Sequence, residues 1–319
     1  MLLFSLDSDA TFAQALAASL GVPLAPHENR CFEDGEHKLR PLVDPRGFDA
    51  YAVASLHGGP VDSPHDKLCH LLMFIATLRE HGAARVTAVV PYLAYARKDR
   101  QTKPFDPVTL RYVAQLFEAV GTSQLIVLEA HNVAAFQNAF RCTTLHLEAH
   151  RAFDGLVAEL AVDHPLAVAS PDPGGVKRAQ LWRESLAQTL ARPVGFAMVD
   201  KRRSAGVVSS EHLVAGDVDS LTVLLLDDLI ASGDTMRRAA VALRLAGARE
   251  VLAFAAHGLF TGPAGEALAD AGLAQIAVTD SVPPFRLSET GAVRSKLRVV
   301  SAAPLFAEAI RASHGAGAR

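Results

Sequence analysis

The stretch from Thr222 to Met236, T-V-L-L-L-D-D-L-I-A-S-G-D-T-M, constrains the fold more than any other part of the chain. Thr222 to Leu226 shows no polar alternation, so it reads as a strand buried on both faces, as in a parallel sheet covered by helices. Asp227 and Asp228 sit where that strand is expected to end. Ser232, Gly233, Asp234 and Thr235 then form a tight loop, and helical spacing begins at once with Met236, Ala240, Leu243 and Leu245. Such a strand, loop and helix start gather backbone N–H groups and the positive end of the helix dipole at one point. That is an anion site, most naturally for a phosphate. The two aspartates beside it suit sugar hydroxyls, or a metal escorting the phosphate. Taken alone, the same residues also describe a βα turn with an acidic N-cap.

The rest of the chain repeats the alternation. Strands are expected at Leu2 to Leu6, Tyr51 to Ser55, Val86 to Val90, Leu125 to Leu128, Leu166 to Ala169, Gly195 to Val199 and Val251 to Ala256. Between them fall the helical patterns Thr11 to Leu20, Asp66 to Glu80, Pro107 to Val120, Lys177 to Leu190 and Thr235 to Ala246. Alternating strands and helices imply an α/β fold with mainly parallel sheets flanked by helices, and ligands then gather at the carboxyl ends of the strands. The 319 residues allow about two domains. The boundary is expected near Glu148 to Asp154, and the tail from Gly315 to Arg319 is expected to be disordered.

Composition narrows the function classes. Net charge is −3 with both signs interspersed, so no basic field points to nucleic acid or a membrane surface. Cys31, Cys69 and Cys142 are three and widely spaced, which disfavours a disulfide framework or zinc site and fits a reducing compartment. No signal-peptide pattern opens the chain and no apolar run approaches the ~18 residues of a membrane span. A cytoplasmic globular protein is expected.

Polar clusters recur at strand ends. Cys31 to Glu36 is a loop with an aromatic, spaced acids and a glycine: a plain surface turn, or a base-binding loop in which Phe32 stacks. Pro91 to Arg100 places Arg97, Lys98 and Arg100 after a strand, either as a solvated loop or as a polyphosphate clamp. Glu129, His131 and Asn132 end another strand, where a His beside a carboxylate can meet metal or phosphate. Ser170 to Ala179 presents Asp172 on a loop fixed by two prolines and two glycines, with Lys177 and Arg178 next. Asp200 to Arg203 is basic, and the polar, weakly periodic segment Ser204 to Asp219 reads as a mobile loop able to close as a cationic flap.

Together these stretches resemble the ribose-phosphate diphosphokinases, the enzymes that make phosphoribosyl diphosphate. F-E-D-G-E, P-Y-L-A-Y-A-R-K-D-R, E-A-H-N, S-P-D-P-G-G-V-K-R-A, D-K-R-R, G-D-V, L-L-D-D-L-I-A-S-G-D-T, H-G-L-F-T-G-P-A and T-D-S-V-P occur in the family's order along nearly the whole chain. The resemblance implies two phosphoribosyltransferase-like α/β domains, 1–149 on the ATP side and 150–302 for ribose 5-phosphate. Residues 303–319 would contain a last helix, Pro304 to Ala312, returning to the first domain. It implies that Phe32, Asp34 and Glu36 form an adenine loop lent by a neighbouring subunit, and that Arg97, Lys98, Asp99 and His131 hold ATP. His131 and Asp172 would bind Mg2+, Lys201 and Arg203 would be the catalytic cations of the flap, and Asp227 and Asp228 would face the ribose. Ser232, Gly233, Asp234 and Thr235 would take the 5-phosphate. A shared adenine loop implies a homo-oligomer, dimer-based and up to a hexamer.

Four positions depart from the family pattern. Lys98 stands for the usual Gln and Glu129 for the usual Asp; Ala231 replaces an Asp and Asp234 a Gly inside the phosphate loop. A carboxylate at 234 would repel a phosphate unless it turns away, bonds locally or meets a metal. Ala231 and Asp234 keep open a non-catalytic or regulatory homologue, and Ala231 is also reminiscent of phosphoribosyltransferases. The ATP-side motifs F-E-D-G-E and Y-A-R-K-D-R would lack a purpose in the latter.

Overall fold

The computed structural model describes residues 1–160, 164–204 and 207–316, without the side chains of 201–212, 315 and 316. Its backbone divides into two compact units, Met1–Glu148 with Ser301–Arg319, and Ala149–Val300.

The first unit runs β1 (Leu2–Ser5), α1 (Thr11–Leu20), β2 (His27–Cys31), β3 (His37–Pro41), β4 (Asp49–Val53), α2 (Pro64–Glu80), β5 (Arg85–Val90), α3 (Thr109–Ala119), β6 (Gln124–Leu128), α4 (Val133–Ala139) and β7 (Thr143–Leu147). Five strands form a parallel sheet in the order β1-β4-β5-β6-β7. Alternate residues serve opposite faces. Phe4, Ala50, Ala52, Val86, Ala88, Leu125 and Val127 pack in one core with Leu71, Phe74 and Leu78 of α2 and Val113 and Phe117 of α3. α2 starts sharply because Ser63 and Asp66 cap each other and Pro64 occupies the first turn.

The second unit begins with α5 (His150–Leu160), β8 (Leu166–Ser170), α6 (Val176–Thr189), β9 (Val194–Ser204) and β10 (Val207–Ala215). It continues with β11 (Thr222–Ile230), α7 (Asp234–Leu245), β12 (Glu250–Gly258), α8 (Ala264–Ala269), β13 (Gln275–Thr279), α9 (Ala292–Lys296) and β14 (Leu297–Val300). Its sheet has the order β10-β9-β8-β11-β12-β13-β14, parallel throughout except for β10, which runs antiparallel to β9. One face packs on fully buried Trp182 of α6, whose ring meets Phe254 and Phe153 edge-on or tilted while its indole N–H donates to Asp154 at 3.0 Å. The other face packs on α7 and α8 through Leu225, Ala253, Met236, Leu243 and Leu268. The last helix, α10 (Ala303–Ala316), belongs to the first unit, where Phe306 meets Phe12 of α1 edge-on at 5.4 Å. No helix among the described residues is long and apolar enough to cross a membrane.

The α/β architecture with parallel strands flanked by helices is therefore as the alternation implies. Several local expectations are corrected. The loop around Phe32 is the tip of an antiparallel hairpin, β2–β3, whose strands are too polar to announce themselves. Ser204 to Asp219 is not simply a loop: β10 pairs there, with an irregularity between Val208 and His212. β11 continues through Ile230, because Leu229 and Ile230 still pair with His257 and Gly258 of β12. Gly315 and Ala316, expected in a disordered tail, extend α10; residues 317–319 lie outside the described residues.

Candidate functional site

In the second unit, the carboxyl ends of β8 and β11 and the start of α7 bring the sequence-flagged residues into two adjoining loops. After β8, Ser170 Oγ donates to the Asp172 carbonyl at 2.6 Å, and Asp172 Oδ1 accepts from the N–H groups of Gly174 (2.9 Å) and Gly175 (3.3 Å). A β-carbon on Gly175 would stand 2.6 Å from Ser170 Oγ, so a larger residue there would displace the hydroxyl that bonds the Asp172 carbonyl.

Along β11, Asp227 and Asp228 lie within the final paired residues rather than beyond the strand. The Asp228 N–H donates to Asp227 Oδ1 at 2.9 Å, and Asp228 is buried. Arg178, on the first turn of α6, brings its guanidinium to 3.7 Å from Asp227 Oδ1. Burial, then the neighbouring Asp228, pushes the Asp227 carboxyl well above the usual carboxylate range, with Arg178 pulling it back. The sequence flagged the basic pair after Asp172 but not this partnership, which joins residues far apart in the chain.

The anion loop follows. Gly233 has φ +80°, a conformation open to glycine, and a β-carbon there would press to 2.8 Å from Leu268 of α8. α7 then starts at Asp234, one residue earlier than its spacing predicts, with the Arg237 N–H bonded to the Gly233 carbonyl at 2.9 Å. The N–H groups of Gly233, Asp234 and Thr235 are thus at a helix start, where an anion is favoured. Behind the loop, the N–H groups of Leu259 and Phe260 bond the Ile230 carbonyl, and that of Thr261 bonds the Ala231 carbonyl. Ala231 therefore contributes a backbone anchor and no polar side chain. The Asp234 carboxylate does not stand alone: Oδ1 is 3.6 Å from Arg237 Nη2 and Oδ2 accepts from Ser232 Oγ at 3.4 Å. The backbone of Lys201 and Arg203 lies in β9, but their side chains fall outside those described.

In the first unit the flagged residues divide between two places. The loop after β5 carries exposed Arg97, while Lys98 Nζ is bonded to Asp106 Oδ2 at 2.7 Å. Asp106 also accepts from Thr102 and Lys103, and Lys98 first, then these donors, hold its carboxyl well below the usual range. Asp99 Oδ2 accepts from Asn132 Nδ2 at 2.7 Å, and Asn132 Oδ1 caps α4 through the Ala135 N–H at 3.1 Å. Asn132 is thus the organiser that the sequence named in its motif without a role. Exposed His131 and buried Glu129, with φ +44°, occupy the turn between β6 and α4. Phe32, Asp34 and Glu36 sit apart, on the β2–β3 hairpin tip, with the Arg30 guanidinium 5.0 Å above the Phe32 ring. Asp34 Oδ1 accepts from the Glu36 N–H at 3.0 Å, which fixes the tip.

Among the described residues no group of three or more His, Cys, Asp or Glu side chains could hold a metal by itself.

Residues 1–121 match a family model described as the N-terminal domain of ribose phosphate pyrophosphokinase, and residues 208–318 match one described as the phosphoribosyl synthetase-associated domain. A ribose-phosphate pyrophosphokinase of Caldanaerobacter subterraneus is 34% identical, covering 98% of this chain and 94% of that protein. Another from Aquifex aeolicus is 34% identical over 95% of this chain and 93% of its own length. The crystal structure of phosphoribosylpyrophosphate synthetase from Mycobacterium smegmatis superposes with a TM-score of 0.85 at 32% identity, covering 98% of each chain. The chain belongs to the ribose-phosphate pyrophosphokinase family.

Proposed function

We propose that this protein transfers the diphosphoryl group of ATP to the 1-hydroxyl of ribose 5-phosphate, giving phosphoribosyl diphosphate and AMP. The observation that carries this reading is the β11–α7 junction: two carboxylates followed directly by a Gly233-based anion loop, in a chain that matches family members almost end to end. In the transfer, the sugar 1-hydroxyl oxygen bonds to the β-phosphorus and the bond from that phosphorus to the AMP oxygen breaks. AMP leaves with the electron pair, and the hydroxyl proton passes to solvent.

Ser232, Gly233, Asp234 and Thr235 hold the 5-phosphate, Asp234 through its backbone N–H. Asp227 and Asp228 accept hydrogen bonds from ribose hydroxyls, and Arg178 keeps Asp227 oriented. Phe32, Asp34 and Glu36 serve the adenine of a neighbouring subunit, which makes the protein a homo-oligomer built on a dimer. Arg97, Lys98, Asp99 and His131 serve the nucleotide; Asp99 is already oriented by Asn132, and Lys98 acts through the Asp106-centred loop it holds. Lys201 and Arg203 are the cations over the transferring group, where fixed positive charge stabilises charge that develops in the transition state.

The Asp172 carboxylate supplies the kind of oxygen donor that Mg2+ takes. That ion keeps much of its coordination for water and substrate phosphates and takes only one or two protein ligands, so the lack of a preassembled three-residue cage among the described residues is compatible with it. Asp172, with one oxygen held by two backbone N–H groups, is the residue of the second unit proposed as a ligand, and His131 of the first unit is proposed for metal-bound phosphate in its own right. When bound, Mg2+ neutralises the phosphates and orients them for in-line displacement.

The test is AMP release from ATP and Mg2+, with and without ribose 5-phosphate, for the parent and Lys201→Ala. Sugar-dependent AMP that falls by about 100-fold or more in the variant is expected. An inactive parent across nucleotide donors and phosphate concentrations would overturn the reading in favour of the non-catalytic homologue that Ala231 and Asp234 raise.

A further inference from the structure

A phosphate loop that begins its helix with a carboxylate needs an explanation. The substrate group is a dianion at neutral pH, and the Asp234 side chain starts from the same turn as the N–H groups that receive it. Two groups in the structure stand against that carboxylate. The Ser232 hydroxyl donates to Asp234 Oδ2 at 3.4 Å, a long hydrogen bond from a neutral donor. The other is Arg237, one helical turn on, whose Nη2 stands 3.6 Å from Asp234 Oδ1 and which alone brings an opposite charge.

We infer that Arg237 is a positioning residue of the sugar-phosphate site. It neutralises the Asp234 carboxylate and holds it against the first turn of α7, so that the loop can receive a phosphate dianion. The inference rests on the reading that this loop binds the 5-phosphate of a sugar. It goes further by assigning a role to a residue outside the loop motif, and by treating residues 234 and 237 as one electrostatic unit with no net charge.

Both side chains are about half-exposed, at 50% for Asp234 and 42% for Arg237, so an incoming phosphate meets the pair rather than a charge sealed away from it. An ordinary exposed ion pair on one helix turn is worth little to folding. The pair's consequence is therefore in binding: without the guanidinium, a bare carboxylate faces the dianion a few ångströms away, with Ser232 Oγ still engaged by the wrong oxygen. Arg237 acts through Asp234, so it is a positioning residue and its effect belongs in substrate affinity, with turnover less affected.

A double-mutant cycle separates this from a direct contact. Arg237→Ala is expected to raise the KM for ribose 5-phosphate about 10-fold, with a much smaller change in kcat and in the KM for ATP. Asp234→Gly alone is expected to lower the KM about threefold, by freeing Ser232 and leaving the Arg237 charge unopposed. The double variant should return to within about threefold of the parent, and Arg237→Lys should rescue most of the loss. Calorimetric titration of the same four proteins with ribose 5-phosphate and with inorganic phosphate repeats the cycle without turnover. If the parent makes no AMP, the proposed activity fails, but the coupling in these titrations still decides the pair. An equal loss for Arg237→Ala with and without Asp234 would overturn the inference, as would no loss in either background.

Discussion

At the scale of single residues, the loop proposed for the 5-phosphate depends on one backbone angle and one wall. Gly233→Ala forces a β-carbon into the left-handed region and against Leu268, and the strain, about 1–2 kcal/mol from the backbone alone, is expected to distort the N–H groups proposed to meet the phosphate. The expected result is a fall of about tenfold or more in kcat/KM for ribose 5-phosphate, read in the AMP assay; a variant with parental kinetics would contradict the role given to the loop. Asp227 gives a pH signature. Its carboxyl titrates above the ordinary range in the fold, so the folded state binds that proton more tightly than the unfolded chain does. Its contribution to stability is thus full below the unfolded value near 4 and is lost as pH rises through the folded value. Asp227→Asn removes that loss. Its thermal midpoint should exceed the parent's at pH 7, and the difference should shrink toward pH 4, while activity falls. A midpoint difference independent of pH would show that Asp227 is not held at this cost.

The elements differ in how legible they were, and for physical reasons. β11 was readable because Val223 to Leu226 are buried on both faces, and α7 because Gly233 and the spacing of Met236, Ala240 and Leu243 mark a start and a stripe. β2 and β3 were not. H-E-N-R-C and H-K-L-R-P form a two-stranded ribbon in which only Leu39 is buried, so no apolar period exists to detect. The Arg178–Asp227 and Asn132–Asp99 contacts join separate loops, which no local spacing reveals, whereas Arg237 lies one turn from Asp234 and was available to a charge-pattern reading. A fourth group, also unannounced, stabilises the first unit where β1, β4 and α2 meet. Buried Lys67 places Nζ 3.3 Å from Asp7 Oδ1, 3.1 Å from the Ser55 carbonyl and 3.3 Å from His57 Nε2, while the Ser55 N–H donates to Asp7 Oδ2 at 2.8 Å. An ammonium has three donors and no acceptor, so the imidazole accepts. Lys67→Met is expected to destabilise by about 3–5 kcal/mol because the largely enclosed Asp7 loses its only cation among the described residues and keeps just the Ser55 N–H; Asp7→Asn with Lys67→Met should recover most of it. Denaturant melts check this, and an unchanged midpoint for the single variant would refute it. The hairpin tip has a separate test: Phe32→Ala should raise the KM for ATP by about fivefold or more through lost stacking, with the thermal midpoint held.

At the scale of the whole molecule, the motifs are read in the same order as in the family and the chain matches members over nearly all their length, which is why the fold and family were legible before any coordinates. The four departures were legible too, but their consequences were not. Structure turns Ala231 into a backbone anchor bonded by Thr261, Asp234 into half of an ion pair, and Lys98 into a support of the loop that Asp106 organises. Glu129, the fourth, is buried in the turn between β6 and α4. The most direct measurement is 31P NMR of the protein with ATP, Mg2+ and ribose 5-phosphate. The account expects AMP and a sugar 1-diphosphate in equal amounts, the β- and γ-phosphorus of ATP moving together. ADP as the product, AMP with free pyrophosphate and no sugar diphosphate, or unchanged ATP would each contradict it.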